Sequence, residues 1–305
     1  MTKTILNPAP GSDIHDGIYH DMPSEEYFAL PFVSRSSLTP LCRGLTAAHY
    51  KGRLEKPMVA TKAMTFGTRA HSAVLEPDKQ DEYFPLPSTI KRRAGAEYEL
   101  LCAENPEVTY LPAGEWSEMK DGISSALRVA ENVNAHAEAK AILDRLPYRE
   151  VSFVWTDPET GIRCKARSDM AGDDPCEMAD LKTTGKSDPY IAVRAAYDHG
   201  LDAQVAFYGD GWSILHGIDP VQTPCPFSFI FVESAWPHLV SVCDGLAAYD
   251  EANETTHPRG YLMNGRDAYQ NALKTIKECT ETGVWPGHSP EVMEMVLPKW
   301  RDLNA

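Results

Sequence analysis

Long apolar runs, grouped cysteines and an excess of positive charge are all missing from this chain of 305 residues. No apolar run reaches about 18 residues, the length that predicts a membrane-spanning helix. The N-terminus, MTKTILNP, lacks the apolar core of a signal peptide. The seven cysteines are scattered without a CxxC pair, which argues against zinc and against an iron–sulfur cluster, because such sites need grouped thiolates. These absences predict a protein of the reducing cytoplasm with free thiols.

The charge balance limits the partners that the chain can bind. It has 29 Lys and Arg against 44 Asp and Glu, a net charge of −15. DNA binding draws on Lys and Arg contacts to phosphates, so an acidic chain must concentrate its positive charge locally. Arg163, Lys165 and Arg167 alternate with apolar residues and would share one face of a strand. This stripe predicts a track for DNA phosphates, with an ordinary exposed sheet face as the alternative.

A predicted hairpin is the most informative stretch of the sequence. Residues 162–169 alternate as a strand, residues 171–175 (AGDDP) are rich in turn formers, and residues 177–184 (EMADLKTT) predict the returning strand. Residues two apart on a strand share a face, so Asp180 and Lys182 lie together. Asp169, near the end of the first strand, can reach the same point.

This grouping has a chemical interpretation and a simpler one. Two carboxylates that converge repel each other, and a hard divalent cation such as Mg²⁺ relieves the repulsion. A lysine beside them can polarise a water or stabilise an anionic transition state. These groups suffice to hydrolyse a phosphodiester. Taken alone, however, the pattern is more typical of an exposed hairpin with a solvated ion pair.

Two predicted helices carry further polar candidates. In residues 60–75, His71 lies on an otherwise apolar face, where a histidine is more often a core residue than a ligand. In the helix that follows Gly200, Gln204 and Tyr208 are four residues apart and share a face. Anchoring that helix in the core is the alternative to a role in a site.

The chain as a whole predicts strands flanked by helices without strict alternation. Further strands are predicted at 150–155, 227–233 and 238–243, further helices at 24–55 (two short ones), 115–146, 188–199, 245–255 and 261–282, and irregular structure at 80–115. This order predicts an α/β or α+β sandwich with a small mixed central sheet.

The ordered set of polar residues resembles the PD-(D/E)XK nuclease superfamily. The set is His71, Asp169, Asp180-x-Lys182 and Gln204-x-x-x-Tyr208. The surrounding sequence is similar to the exonuclease VIII (RecE-type) nucleases of phages and prophages, in the segments GTRAHSAVLEP at 67–77, SRSSL at 34–38 and KECTETGVWPG at 277–287. The resemblance implies a restriction-endonuclease-like PD-(D/E)XK core. It also implies a single nuclease domain at 16–305 with helical embellishments at both ends, preceded by residues 1–15, which the sequence itself predicts to be flexible.

The resemblance also implies roles for these residues. Asp169 and Asp180 would hold Mg²⁺, or Mn²⁺ as a substitute, joined by His71 and the carbonyl of Leu181. Lys182 would orient the attacking water. Gln204 and Tyr208 would hold the substrate strand or brace the catalytic strand, and Glu150 is a weaker candidate ligand.

The function that the resemblance implies is a Mg²⁺-dependent 5′→3′ exonuclease. It would degrade one strand from double-stranded DNA ends in phage-type recombination, in the cytoplasm of a bacterial host cell. The implied partners are a single-strand annealing protein and further copies of the chain in a ring-shaped tetramer. Two alternatives stay open: an endonuclease of the same fold, and a non-catalytic DNA-binding or regulatory protein that keeps the fold.

Overall fold

The computed structural model describes residues 14–56, 61–77, 82–105, 108–111, 113–173, 176–245, 260–289 and 291. The strands are β1 (Gly17–Tyr19), β2 (Val33–Ser34), β3 (Glu82–Pro85), β4 (Val108–Leu111), β5 (Tyr148–Thr156), β6 (Arg163–Asp173), β7 (Cys176–Thr184), β8 (Phe227–Glu233) and β9 (Val240–Asp244). The helices are α1 (Ser24–Ala29), α2 (Arg35–Cys42), α3 (Ala47–Glu55), α4 (Lys62–Leu75), α5 (Ala96–Glu104), α6 (Ala113–Ala135), α7 (Ala137–Arg145), α8 (Pro189–Asp198), α9 (Leu201–His216) and α10 (Tyr261–Thr282).

A mixed seven-stranded sheet forms the centre of the described structure. Its order is β1-β5-β6-β7-β8-β9, with the short β2 paired in parallel to β6. Strand β6 is antiparallel to both of its neighbours, β5 and β7, whereas β7 and β8 are parallel and joined through α8 and α9. This arrangement confirms the predicted mixed sheet flanked by helices, and β6 and β7 are the predicted hairpin.

Two hydrophobic layers cover the two faces of the sheet. On one face, α9 and α10 pack against aromatic residues of β5 and β8, with Phe153, Phe207 and Trp212 fully buried. On the other face, α4, α6 and α7 pack against Leu181 and Ile230. The residues of β7 alternate between these layers, as a strand buried on both faces requires.

A buried ionic network ties α9 to α10. The guanidinium of Arg266 donates to both carboxylate oxygens of Asp210, at 2.7 and 2.5 Å, and the Tyr269 hydroxyl donates to the same carboxylate at 2.7 Å. Since Arg266 and Asp210 are both buried, each would be costly without the other. The network therefore fixes how α10 lies against α9.

Several predicted elements differ from the structure. The long helix expected at 115–146 is two helices, because the ring of His136 accepts a hydrogen bond from the Ala139 N–H and caps a new helix. The region 80–115, expected to be irregular, contains β3, α5 and β4, and the region 24–55 holds three short helices. The helix expected at 245–255 lies almost wholly outside the described residues, as does most of the N-terminal segment 1–15. No helix in the described ranges is long and apolar enough to cross a membrane.

The crossing of α9 and α10 gives a prediction about stability. A Cβ on Gly265 would lie 2.0 Å from the carbonyl oxygen of Asp202, so Gly265→Ala must push the two helices apart. We expect the free energy of unfolding in urea to fall by about 3 kcal/mol, the upper end of overpacking costs. Gly52→Ala is the matched control, because nothing lies within 4 Å of the added methyl group. It should leave stability unchanged or raise it by about 0.5–1 kcal/mol, since alanine favours the helix. Equal unfolding midpoints for the two variants would contradict the tight crossing.

Candidate active site

Strand register places three carboxylates in a row across the sheet. The pairs Arg149↔Met170 and Val151↔Ser168 flank the position where Glu150 on β5 faces Asp169 on β6. The pair Met170↔Ala179, continued by one residue, sets Asp169 opposite Asp180 on β7. Neighbouring strands lie about 4.8 Å apart, so the row brings the three acidic groups close together.

The backbone is unusual at this row. Glu150 has a positive φ of 48°, which is uncommon for a residue other than glycine. Tyr148 and Val151 both pack against the α9 side of the sheet, so the usual alternation of β5 breaks at Glu150. Ala166 and Ala171 show the same break on β6, around Asp169. Strained backbone of this kind occurs most often at functional sites.

Asp169 is the central member of the row. Its Oδ2 accepts a hydrogen bond from the Leu181 N–H at 2.8 Å and lies 3.4 Å from Nδ1 of His71. Burial and the nearby Asp180 charge raise the pKa of Asp169, while His71, Lys182 and the Leu181 N–H act in the opposite direction. The pKa is therefore raised even though the site supplies three groups that favour the charged form.

Asp180 is held by two side chains from different elements. Gln204 on α9 donates from its amide nitrogen to Oδ1 at 2.6 Å, and Lys182 places its ammonium group against Oδ2. Asp180 and Gln204 are buried, whereas the side chain of Lys182 is 29% exposed. The ammonium group of Lys182 is therefore paired with a buried carboxylate while the side chain remains accessible to solvent.

Glu150 is more central than its sequence suggests. Its carboxylate lies 3.5 Å from Nε of Arg167, and the same nitrogen donates to the Glu150 carbonyl at 3.0 Å. Burial, followed by the charge of Asp169, raises the pKa of Glu150 to about 8, although Arg167 lowers it. Perturbed carboxyl groups of this kind are concentrated at functional sites.

His71, Glu150 and Asp169 form a candidate metal centre. One ligand atom from each lies within 4.8 Å of the other two. Two carboxylates and an imidazole fit Mg²⁺ or Mn²⁺ by donor chemistry, with the imidazole suiting Mn²⁺ better. The raised pKa values of Glu150 and Asp169 also agree with a cation site. Repulsion from neighbouring carboxylates causes part of each rise, and a bound cation would relieve that repulsion.

The predicted ligand set differs from this cluster in two respects. Asp180, expected as a ligand, has its oxygens turned to Gln204 and Lys182, and Glu150 takes the third place. Leu181 lies beside Asp169 through its N–H, with its side chain buried in the core. A ligand role for the Leu181 carbonyl stays a prediction.

Tyr208 lies next to the site rather than in the carboxylate row. Its ring packs edge-on against Phe153 in the core on the α9 side. Burial raises the pKa of Tyr208 well above its usual value, and the charges of Asp180 and Asp169 act in the same direction. Tyr208 therefore keeps its proton and braces α9 against β5, one turn beyond Gln204.

The residues of the predicted basic stripe contact the chain's own N-terminal segment. Lys165 is buried, and its ammonium group donates to the carbonyl oxygens of Tyr27 and Leu30 at 2.8 and 2.7 Å. Arg167 donates to the Met22 carbonyl at 2.6 Å, and Arg163 to the Ile14 carbonyl at 2.5 Å. The three side chains hold the segment before β2 against the sheet, and a role for them in DNA binding stays a prediction.

A cleft of about 710 Å³ opens beside the row at Glu150. Its walls come from the end of α4, the start of β5 and the segment before α1, and include His20, Glu76, Tyr148, Arg149 and Arg167. The cleft gives Glu150, at one end of the row, a path to solvent.

The raised pKa of Glu150 predicts how stability depends on pH. A carboxyl group whose folded pKa exceeds its unfolded value stabilises the fold fully below the unfolded pKa, about 4.3. That contribution is lost as pH rises through the folded pKa of about 8. In chelator, the melting temperature should therefore fall between about pH 5 and pH 8, and Glu150→Gln should flatten this fall. A profile unchanged by the substitution would show that Glu150 titrates normally.

Comparison with known proteins agrees with this geometry. Residues 34–296 match the family described as PDDEXK-like domain of unknown function (DUF3799). A crystal structure from Eubacterium rectale named "Putative exonuclease" superposes with a TM-score of 0.50 at 13% identity, covering 91% of this chain and 96% of that chain. At that identity the likeness concerns the fold alone. No curated protein matches the chain.

The family match spans most of the chain and includes the whole carboxylate row, with His71, Lys182 and Gln204. The narrower resemblance to exonuclease VIII stays a prediction. The central mixed sheet with its flanking helices has the restriction-endonuclease-like fold. The chain therefore belongs to the PDDEXK-like DUF3799 family, within the PD-(D/E)XK nuclease superfamily.

Proposed function

We propose that this protein is a divalent-metal-dependent deoxyribonuclease. The observation that carries the proposal is the row of Glu150, Asp169 and Asp180, with His71 and Lys182 against it. A row of buried and half-buried carboxylates destabilises the fold through desolvation and mutual repulsion. Binding of a cation that acts on a phosphodiester substrate would explain why the chain has this row. When bound, a divalent cation would supply a water of lowered pKa and offset negative charge on the phosphate.

The residues of the chain perform the other tasks. His71, Glu150 and Asp169 would hold the cation. Lys182, with its ammonium group against Asp180 and partly exposed, would orient the attacking water or offset charge on the pentacovalent phosphate. Gln204 fixes Asp180 and so fixes the lysine.

The specific activity that we propose is 5′→3′ exonuclease action on linear double-stranded DNA, in phage-type recombination. The sequence resemblance to exonuclease VIII supports this choice, with Mg²⁺ as the metal and a single-strand annealing protein as partner. A ring-shaped tetramer is proposed on the same resemblance. Arg163, Lys165 and Arg167 donate to carbonyl groups of the chain's own N-terminal segment, so the proposed ring does not rely on them to line its channel.

An endonuclease of the same fold is the second candidate function. The cleft beside Glu150 is open to solvent, and an open cleft can admit a strand without a free end. The shape of the DNA substrate distinguishes the two activities.

The first activity prediction concerns substrate and site together. With Mg²⁺, the purified protein should digest linear duplex DNA and leave covalently closed circles intact. Asp180→Asn and Lys182→Ala should each lower the rate by at least about 100-fold. Lys182→Ala removes positive charge beside the phosphate, and Asp180→Asn removes the carboxylate that positions that lysine. The control is Lys140→Ala, which removes an exposed lysine paired with Asp144. Its rate should match the wild type.

Three outcomes would count against this assignment. Nicking of closed circles as fast as digestion of linear DNA would favour the endonuclease. Full activity of Asp180→Asn or Lys182→Ala would remove these residues from the site. DNA binding without any hydrolysis, across metals, would favour the non-catalytic alternative.

The second activity prediction concerns the metal. Activity should vanish in chelator and return with Mg²⁺ or Mn²⁺. His71→Ala should raise the metal concentration needed for half-maximal rate by about 10-fold or more, as loss of one ligand typically does. His49→Ala, an exposed histidine on α3, is the control. If His71 serves only the core, His71→Ala will instead lower the melting temperature with unchanged metal dependence.

A further inference from the structure

Two of the seven cysteines meet where β7 begins and where the chain enters β8. The Cys176 S–H donates to Sγ of Cys225, and the two sulfur atoms are 3.5 Å apart. In contrast, Sγ of the buried Cys164 contacts the carbonyl oxygen of Ile162, two residues earlier in the chain. The sulfur–sulfur contact is therefore a specific feature of the β7–β8 boundary.

The register of the sheet explains why these two residues meet. Met178 on β7 pairs with Phe227 on β8, and the Met178 N–H donates to the Pro226 carbonyl at 2.9 Å. Two residues earlier in the chain stand Cys176, the first residue of β7, and Cys225, just before β8. Strands paired in this way lie about 4.8 Å apart, within the range of Cα separations that a disulfide spans, about 4.4–6.8 Å.

The surroundings keep the pair in place. Cys225 stands between Pro224 and Pro226, and proline restricts both its own backbone and that of the preceding residue. Helix α9 closes over the buried Cys225, where a Cβ on Gly209 would lie 3.5 Å from the cysteine Cβ. Cys176 is only half-buried, so a small reagent can reach it.

We propose that Cys176 and Cys225 are a modification site, a dithiol that small-molecule disulfides convert to a reversible intramolecular disulfide. The Cys176 thiol loses its proton to solvent, and its sulfur attacks one sulfur of the reagent, releasing one reagent thiolate and forming a mixed disulfide. The Cys225 thiol then loses its proton, and its sulfur attacks Sγ of Cys176, releasing the second thiolate. Two protein thiols are oxidised, and one reagent disulfide is reduced to two thiols.

This bond would enclose the part of the chain that carries half of the candidate active site. The segment from β7 to the start of β8 contains Asp180, Lys182, Gln204 and Tyr208. Closing a loop of about 50 residues restricts the unfolded chain and should stabilise the fold, provided the bond forms without strain. The dithiol would thus tie the stability of this segment to the thiol–disulfide balance around the protein, whether or not the chain hydrolyses DNA.

The test uses the full reduced chain with oxidised glutathione, in chelator and without DNA. Wild type should lose the mass of two hydrogen atoms, and peptide mapping should join the Cys176 peptide to the Cys225 peptide. Its melting temperature should rise by about 5 °C, reversibly on reduction. Cys243→Ser, which removes a half-buried thiol on β9, is the control and should behave as wild type. Cys225→Ser should instead keep one glutathione on Cys176.

The contrary results are equally distinct. A lasting glutathione adduct on wild-type Cys176, or two thiols that stay free, would overturn the proposal. A disulfide that forms without raising the melting temperature would remove its stabilising role. If Cys225→Ser does not fold, alkylation of the wild-type protein provides the test. Oxidation should protect Cys176 and Cys225 from alkylation together, and protection of only one of them would contradict a disulfide between the two.

Discussion

Repulsion among carboxylates is the constraint on which the rest of the candidate site depends. The register of β5, β6 and β7 forces Glu150, Asp169 and Asp180 into one row, and burial makes their charges more costly. The groups that offset this cost come from separate elements: His71 from α4, Gln204 from α9 and Lys182 from β7 itself. Because no single element supplies them, the site exists only when both helical layers are docked on the sheet.

The docking of those layers rests on buried polar contacts as well as on hydrophobic packing. The position of Gln204 depends on α9, which α10 holds through the Asp210–Arg266 pair and the close crossing at Gly265. The β6 residues Lys165 and Arg167 donate hydrogen bonds to carbonyl groups of the N-terminal segment. Positive charge that the sequence predicts for DNA contacts is thus used inside the fold, whereas Lys182 beside the row is partly exposed.

The sequence predicts the local part of this arrangement well. The hairpin of β6 and β7, the helix with His71 and the Gln204 helix all follow from periodicity and turn residues, since each depends on neighbours in the chain. The position of Glu150 cannot be predicted in this way, because the break in side-chain alternation on β5 and β6 depends on how the two strands pair. The burial of Lys165 depends on a segment more than a hundred residues away, and alternation along one strand carries no information about it. The Cys176–Cys225 contact likewise arises only from the parallel pairing of β7 with β8.

The central claim is that the carboxylate row is a metal centre with Glu150 as a full member. The most direct test is a crystal structure of the protein grown with Mn²⁺, using the anomalous signal of the ion to locate it. We expect a strong anomalous peak within coordination distance of His71, Glu150 and Asp169 together, and no such peak for Glu150→Gln at the same Mn²⁺ concentration. A fully occupied peak that contacts Asp169 and Asp180 but not Glu150, or no peak at the row at all, would contradict the account.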